Sequence, residues 1–498
     1  MKIKKRRAKH RKTVRPPASG RRPLARLLPS DIEASAEALI GFHQLFADCF
    51  QRREQRRWSL FYLCGQLSNL ERKTIEAMVL ALHSAEANAV RAAQRFMSEG
   101  TWDQPKLIEQ QQALIADWLG KADGVVIVDG SGFPKQGEYS VGVTPQYCGH
   151  LGKVANCQQG VFLVYVSSQG YAFLDERLYM PECWFTPEYQ TRWQRCAIPE
   201  NLPFRTEPQL AVEMITSLVQ RARVPFQWVT ADETYGKSPC FFEGIDALGK
   251  WYLAEVPSDT RVWLRTPAVE PPGPGLLGRR PRLRPRVARN APRPVELREL
   301  IRRLPNTRWR RCTIMEGSKG PVVAEFASMR ATSVRDGLPG PRVWVIFRRS
   351  LGIEPEEKYF FSNAPTTCSL TTFARVSGLR WPVETALEEG KGEVGMDHYE
   401  TRTWPGWHGH MAHTFLAHLF LIRLRVLWQK KSCPDYGSSS PTYRTGYRRR
   451  SVPITRCVSY SALSTMSQSC SLLFSSQTYL ETAQSTFQAP KGQNVEVM

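Results

Sequence analysis

The chain has 498 residues, 42% of them hydrophobic, with 68 Lys and Arg against 46 Asp and Glu and a formal net charge of +22. That length exceeds one ordinary core and predicts two or three domains, and the charge points to a polyanion, nucleic acid before any other, because each cation set against a phosphate releases counterions. No apolar run reaches the roughly 18 residues of a spanning helix, the basic start lacks the apolar segment of a signal peptide, and the twelve Cys are scattered without a C-x-x-C pair; this disfavours a membrane protein, a structural zinc site and a disulfide scaffold, and leaves a cytoplasmic, nucleoid-associated protein with reduced thiols.

Residues 1–30 hold twelve Lys or Arg and no acid, with Pro16, Pro17 and Pro23 among them, and are expected to form a disordered basic arm. From Asp31 to Leu119 the apolar spacing is helical, with Leu70, Ile75, Met78 and Leu82 on one stripe, which predicts a helical DNA-binding domain over 31–119. The pattern then changes to short apolar runs. GVVIVD reads as a buried strand ending on Asp129, and VFLVYVSSQGYAFLDERLYMP as a hairpin turning at Ser168–Gly170. EPQLAVEMITSLVQRARV is helical and stops before Pro225; FQWVTAD is a strand ending on Asp232; a short helix over 241–248 and the strand WYLAEV follow. The resulting order, β-β-β-α-β-α-β, is that of a ribonuclease-H-like α/β core, whose first part is expected over 120–256. In it the first and fourth strands lie side by side, so Asp129 and Asp232 become neighbours. A lone Asp after a strand ordinarily caps a turn; the pair in this order is the more specific signal.

Residues 257–348 interrupt the core with an insertion. Thirteen Arg fall between Arg279 and Arg311, opposed only by Glu296 and Glu299, as in a phosphate-contacting segment or a linker. TRWRRCTIMEG, GPVVAEFASMRAT and RVWVIFRRS then predict a small β-rich subdomain. Its Trp309 either stacks on an extruded base or packs within the subdomain. KYFFSNAP resumes the core over 349–430, and RWPVETALEEGKGEVGMDHYE returns to helix. So basic a chain gathers Glu384, Glu388, Glu389, Glu393 and Asp397 here, as a solvated acidic face or as part of a divalent-metal site. Pro382 suits a first helical turn, which puts Glu384 near the amino end, and Lys391 follows about two turns later on the same face. Glu388, one turn from Glu384, is the second candidate, while Glu389 and Glu393 are expected in solvent. Lys135, in GFPKQG, either meets a DNA strand or is an idle surface Lys. His398, His408, His410, His413 and His418 form no ligand set and are expected to be structural or DNA-facing. Residues 431–498 are Ser-rich and weakly periodic, as in a disordered tail.

The runs VIVDGSGFPKQGEYSVGV, QYCGHLGKVANCQQGVFLVYV, VTADETYG, YFFSNAP and RWPVETALEEGKGEVGMDHYETRTWPGWHGH resemble the DDE-type transposases of bacterial insertion sequences, in the branch with a β-rich insertion before the catalytic Glu. The likeness covers about Asn69 to Trp428. Arg380, Glu384 and Lys391 match the spacing of that branch's Tyr, Arg, Glu, Lys signature. Ser377 stands where its Tyr would be, and Gly130 and Pro145 are further departures. The resemblance implies that Asp129, Asp232 and Glu384 are catalytic and hold two Mg²⁺ ions, with Mn²⁺ as a substitute, and that Arg380 and Lys391 face DNA. It also implies double-stranded DNA as partner, at element ends and target, a homodimer in the DNA complex, and a cut-and-paste course through a hairpin intermediate. A nuclease on the same fold without strand transfer, and an inactive DNA-binding descendant, are the competing readings.

Overall fold

The structure, a computed structural model, describes residues 29–82, 87–273, 283–317, 320–352 and 354–431. The arm expected up to residue 30, apart from its last two residues, and the tail expected after Lys431 lie outside the described residues.

The first helical stretch forms α1 (Pro29–Gln44), α2 (Arg53–Gln66), α3 (Ile75–Leu82), α4 (Ala87–Glu99) and α5 (Gln104–Leu119). Helical spacing of Ala89, Ala93, Phe96 and Met97 gives α4 its buried stripe. At the start of α5 the Asp103 carboxylate accepts from the Lys106 N–H at 2.9 Å, one of the donors a helix leaves unpaired.

The α/β part follows as β1 (Val125–Pro134), β2 (Thr144–Cys148), β3 (Lys153–Ser167), β4 (Gly170–Tyr179), α6 (Gln190–Arg195), α7 (Glu207–Arg221), β5 (Trp228–Ala231), α8 (Glu233–Gly236), α9 (Pro239–Ala247) and β6 (Trp251–Val256). Then come β7 (Arg261–Trp263), β8 (Val269–Glu270), β9 (Arg286–Val287), β10 (Val295–Glu296), α10 (Leu297–Arg303), β11 (Arg310–Gly317), β12 (Gly320–Arg335), β13 (Leu338–Ser350) and β14 (Glu357–Ser362). The described chain ends with α11 (Leu370–Gly378), α12 (Trp381–Val394) and α13 (Trp404–Lys431).

One 12-stranded mixed sheet runs β10-β7-β12-β13-β14-β6-β5-β1-β3-β2, with β11 on β12 and β4 on β3. At its centre β1 pairs antiparallel with β3 and parallel with β5, and β5 parallel with β6. Val125 to Val128 and Trp228 to Ala231 are buried without alternation, as strands covered on both faces must be. Three expectations need correction. β1 does not end at Asp129: its ladder with β3 continues to Pro134 opposite Cys157. A further strand, β2, adds to β3; its residues alternate between half-buried and exposed, so no apolar run announces it. The strands of the insertion form no sheet of their own apart from the short β8-β9 pair, because β13 pairs with β14 and β14 with β6, which makes them an extension of the core sheet.

Helix α13 joins the two parts. It packs on α1, α2, α4, α5, α12 and β4, and its residues Trp407 to Phe420 are buried on all sides. Several of its polar groups are paired inside. Tyr62 lies 2.7 Å from His410 Nδ1, Ser59 Oγ bridges His43 and His413 at 3.0 Å each, and Gln66 donates to Thr414 at 2.8 Å. Of the five candidate His, His408, His410, His413 and His418 are buried and serve the interior. Burial pushes His43 and His410 down to about 3 and His413 down to about 4, so all three are neutral. Among the described residues no helix is long and apolar enough to cross a membrane.

Candidate active site

Parallel pairing of β1 with β5 stops at Val128 opposite Ala231, so the next residue of each strand is an Asp. Adjacent strands lie about 4.8 Å apart, which makes Asp129 and Asp232 neighbours at one sheet edge. Asp232 caps α8, accepting from the Thr234 N–H at 2.9 Å and its hydroxyl at 3.2 Å. Asp129 accepts from the Gly130 N–H at 2.8 Å. Burial first, and the Asp232 charge second, push the Asp129 carboxyl up to about 7 against the pull of Arg380.

Glu384 reaches this edge from α12. The helix opens with Pro382 in its first turn, continues through Gly390 and closes on Gly395 with φ of 71°, the left-handed cap glycine favours. Arg380 donates to Glu384 at 2.7 Å, one turn apart, and its guanidinium also faces Asp129 and Glu255. Lys391, on the same face, donates to the Gly132 carbonyl at 3.3 Å and lies 5.1 Å over the Phe133 ring, so one side of α12 carries both Glu384 and Lys391 to β1.

A buried hub holds α12 in this position. Glu389 accepts from Arg425 at 3.0 Å and Tyr171 at 2.8 Å and pairs with His418 at 3.0 Å. Burial would raise its carboxyl, but these partners prevail and hold it at about 2. The expectation that Glu389 is solvated is therefore wrong: it is 6% exposed and tethers α12 to α13 and β4. Glu393 is half-buried and burial raises its carboxyl, while Glu388 is exposed. From the helical domain the buried Lys73 ammonium donates to the Glu393 carbonyl at 2.8 Å.

With this geometry in view, residues 45–321 match the family model described as DDE superfamily endonuclease. The chain belongs to that family. The match spans Asp129 and Asp232. A 199-residue stretch of the chain is 29% identical to "Probable transposase for insertion sequence element IS701" of Microchaete diplosiphon, covering 39% of this chain and 47% of that protein, so the chain spans about half the length of that relative. The NurA nuclease from Sulfolobus solfataricus aligns with 67% of this chain and 94% of its own at 10% identity and a TM-score of 0.25, too weak a likeness to bear on the fold.

The remaining sequence candidates are engaged with protein. Lys135 is not an idle surface residue: its ammonium donates to the Tyr399 carbonyl at 2.9 Å and lies 3.3 Å over the Tyr399 ring, and burial lowers it to about 8. Trp309 is half-buried beneath the Arg349 guanidinium, 4.0 Å from its ring. Ser377 Oγ donates to the Ala374 carbonyl at 2.8 Å. Glu207, at the start of α7, went unread in the sequence because an acid in a first helical turn after Thr206 reads as an ordinary partner of the helix dipole. Burial and the charge of Asp232 push its carboxyl up to about 7.

Among the described residues no three His, Cys, Asp or Glu side chains are grouped closely enough to enclose a metal ion. The donor chemistry nevertheless fits a divalent cation. Asp129, Asp232 and Glu384 offer hard carboxylate oxygens, their crowding is part of what raises Asp129, and the only positive charge among the groups acting on Asp129 is Arg380.

Proposed function

We propose that this endonuclease is a transposase that cuts DNA at the ends of an insertion element and joins the freed 3′-OH to target DNA. The observation that carries the reading is the pairing of β1 with β5, which stops one residue short of Asp129 and Asp232 alike, with Glu384 reaching the same edge through Arg380. The strand order β4-β3-β1-β5-β6 supports a ribonuclease-H-like core. Asp129, Asp232 and Glu384 would hold Mg²⁺, with Mn²⁺ as a substitute. When bound, such cations supply Lewis acidity toward a phosphodiester. Arg380 offsets the carboxylate charge and has N–H groups to spare for a phosphate oxygen; Lys391, on the same helix face, adds a second cation beside β1. The helical domain and the Arg-rich insertion supply phosphate contacts that position double-stranded DNA without reading it. The protein works as a homodimer in the bacterial cytoplasm, by a cut-and-paste course.

The test uses purified full-length protein, labelled DNA taken from either side of its coding sequence, a supercoiled target and Mg²⁺. Nicked ends and joined products are expected, both absent with Asp129→Asn or Asp232→Asn. Cutting without joining would make it a nuclease, and binding alone an inactive descendant.

A further inference from the structure

We infer that Glu207 is a fourth carboxylate of the cation site, standing beside Asp232 and binding a divalent ion together with it. The inference rests on the proposed role of Asp129 and Asp232. An acid at a helix start normally turns to solvent, and three observations show that Glu207 does not. The first is Gly130. A Cβ built there would meet Gln159 Nε2 at 2.7 Å and Glu207 Oε2 at 3.3 Å, so the missing side chain is what lets both groups close on β1 immediately after Asp129. The second is Tyr235. Its ring is 0% exposed, its hydroxyl has no hydrogen-bond partner among the described residues, and the charges acting on that hydroxyl are those of Glu207, Asp129 and Asp232. A buried O–H that feels three carboxylate charges and has no hydrogen-bond partner is a polar group with room for a ligand. The third is Gln159, whose Oε1 is likewise buried without a partner beside the same carboxylate.

Glu384 and Glu207 reach Asp129 and Asp232 from different helices, α12 and α7. The site thus has two carboxylate arms, and each can complete the ligand set of one cation around the shared Asp pair. Arg380 serves the Glu384 arm; on the Glu207 arm the Asp232 charge meets no such guanidinium among the groups acting on Glu207. The weaker neutralisation makes that arm the one that depends most on an added ion.

The experiment titrates Mn²⁺ into the full-length protein and counts bound ions by electron paramagnetic resonance, with nicking of plasmid DNA measured across the same Mn²⁺ range. Glu207→Gln is expected to weaken one Mn²⁺ site by about 10–100-fold, to shift nicking to correspondingly higher Mn²⁺, and to leave the far-UV spectrum and Tm in the absence of metal unchanged or raised. Glu207→Asp, which keeps the charge, should recover part of the affinity even if Glu207→Gln folds poorly. An unchanged Mn²⁺ titration in Glu207→Gln, with Asp129→Asn abolishing binding, would overturn this inference alone. Unchanged binding in Asp129→Asn would overturn the reading beneath it.

Discussion

At the scale of single residues, α12 holds acidic groups with three separate jobs. Glu384 meets Arg380 and its charge acts on Asp129, Glu388 meets solvent, and Glu389 is sealed in a hub. Glu384→Gln keeps size and removes charge, so DNA binding and folding should survive while metal-dependent cleavage falls by about a thousandfold, as expected when charge stabilisation in a phosphoryl-transfer site is lost. Glu388→Gln should retain most activity; near-normal cleavage by Glu384→Gln with collapse in Glu388→Gln would move the ligand by one turn. Glu389→Gln should act on stability instead. It leaves Arg425 buried without its anion, costs about 3 kcal/mol, and lowers the urea midpoint without changing cleavage by the folded fraction. The place of Glu384 in the first turn of α12, on one face with Lys391, was legible because Pro382 and the seven-residue step to Lys391 are local features. Glu389 was misread because its partners, Tyr171, His418 and Arg425, lie on β4 and α13, and helix spacing says nothing about them.

At the scale of elements, the Asp pair is set by how closely α8 lies on β6. A Cβ at Gly236 would overlap the Glu255 carbonyl oxygen, so α8 touches β6 backbone to backbone, and its cap is Asp232. Gly236→Ala is expected to cost about 1–3 kcal/mol through overpacking and to displace Asp232, reducing cleavage more than the loss of folded protein explains; equal losses in both would show that α8 is only a packing element. The buried strands β1 and β5 were legible because a run of apolar residues closing on an acid is a strong local sign. The length of β1 was not, since the ladder from Gly130 to Pro134 is dictated by β3 and its residues are mostly polar or small. For the same reason the insertion's strands could be foreseen as strands but not as an extension of the core sheet: the link is β14 against β6, about a hundred residues apart.

At the scale of the whole molecule, charge and burial make separate predictions. Several arginines of the insertion are already paired, Arg286 with Glu270, Arg298 with Glu296 and Arg303 with Glu299. Among the described residues Arg284, Arg289, Arg302, Arg308 and Arg310 are exposed and enter no ion pair, and these are among the ones available to phosphate. Changing all five to Ala should flatten the salt dependence of DNA binding by about 0.9 in log–log slope for each phosphate that is no longer neutralised; an unchanged slope would make the segment a linker. The buried His set a pH dependence. His413 is held at about 4 against an ordinary 6.5, so between those values the unfolded chain binds the proton and the folded one does not. Stability therefore falls as pH drops through that window, by up to about 1.4 kcal/mol per pH unit for each such His. His413→Gln should reduce the slope of unfolding free energy against pH by about that amount between pH 6 and 4.5, whatever it does to the absolute value; an unchanged slope would mean that His413 protonates in the folded state.

The central claim, that Asp129, Asp232 and Glu384 form one cation site for phosphodiester chemistry, is tested most directly by anomalous diffraction from crystals of the full-length protein grown with DNA and Mn²⁺. The account predicts Mn²⁺ peaks within about 2.0–2.6 Å of carboxylate oxygens of Asp129 and Asp232, with Glu384 turned from Arg380 onto an ion. Mn²⁺ bound elsewhere, or Glu384 still paired to Arg380 with the Asp pair free of metal, would contradict it.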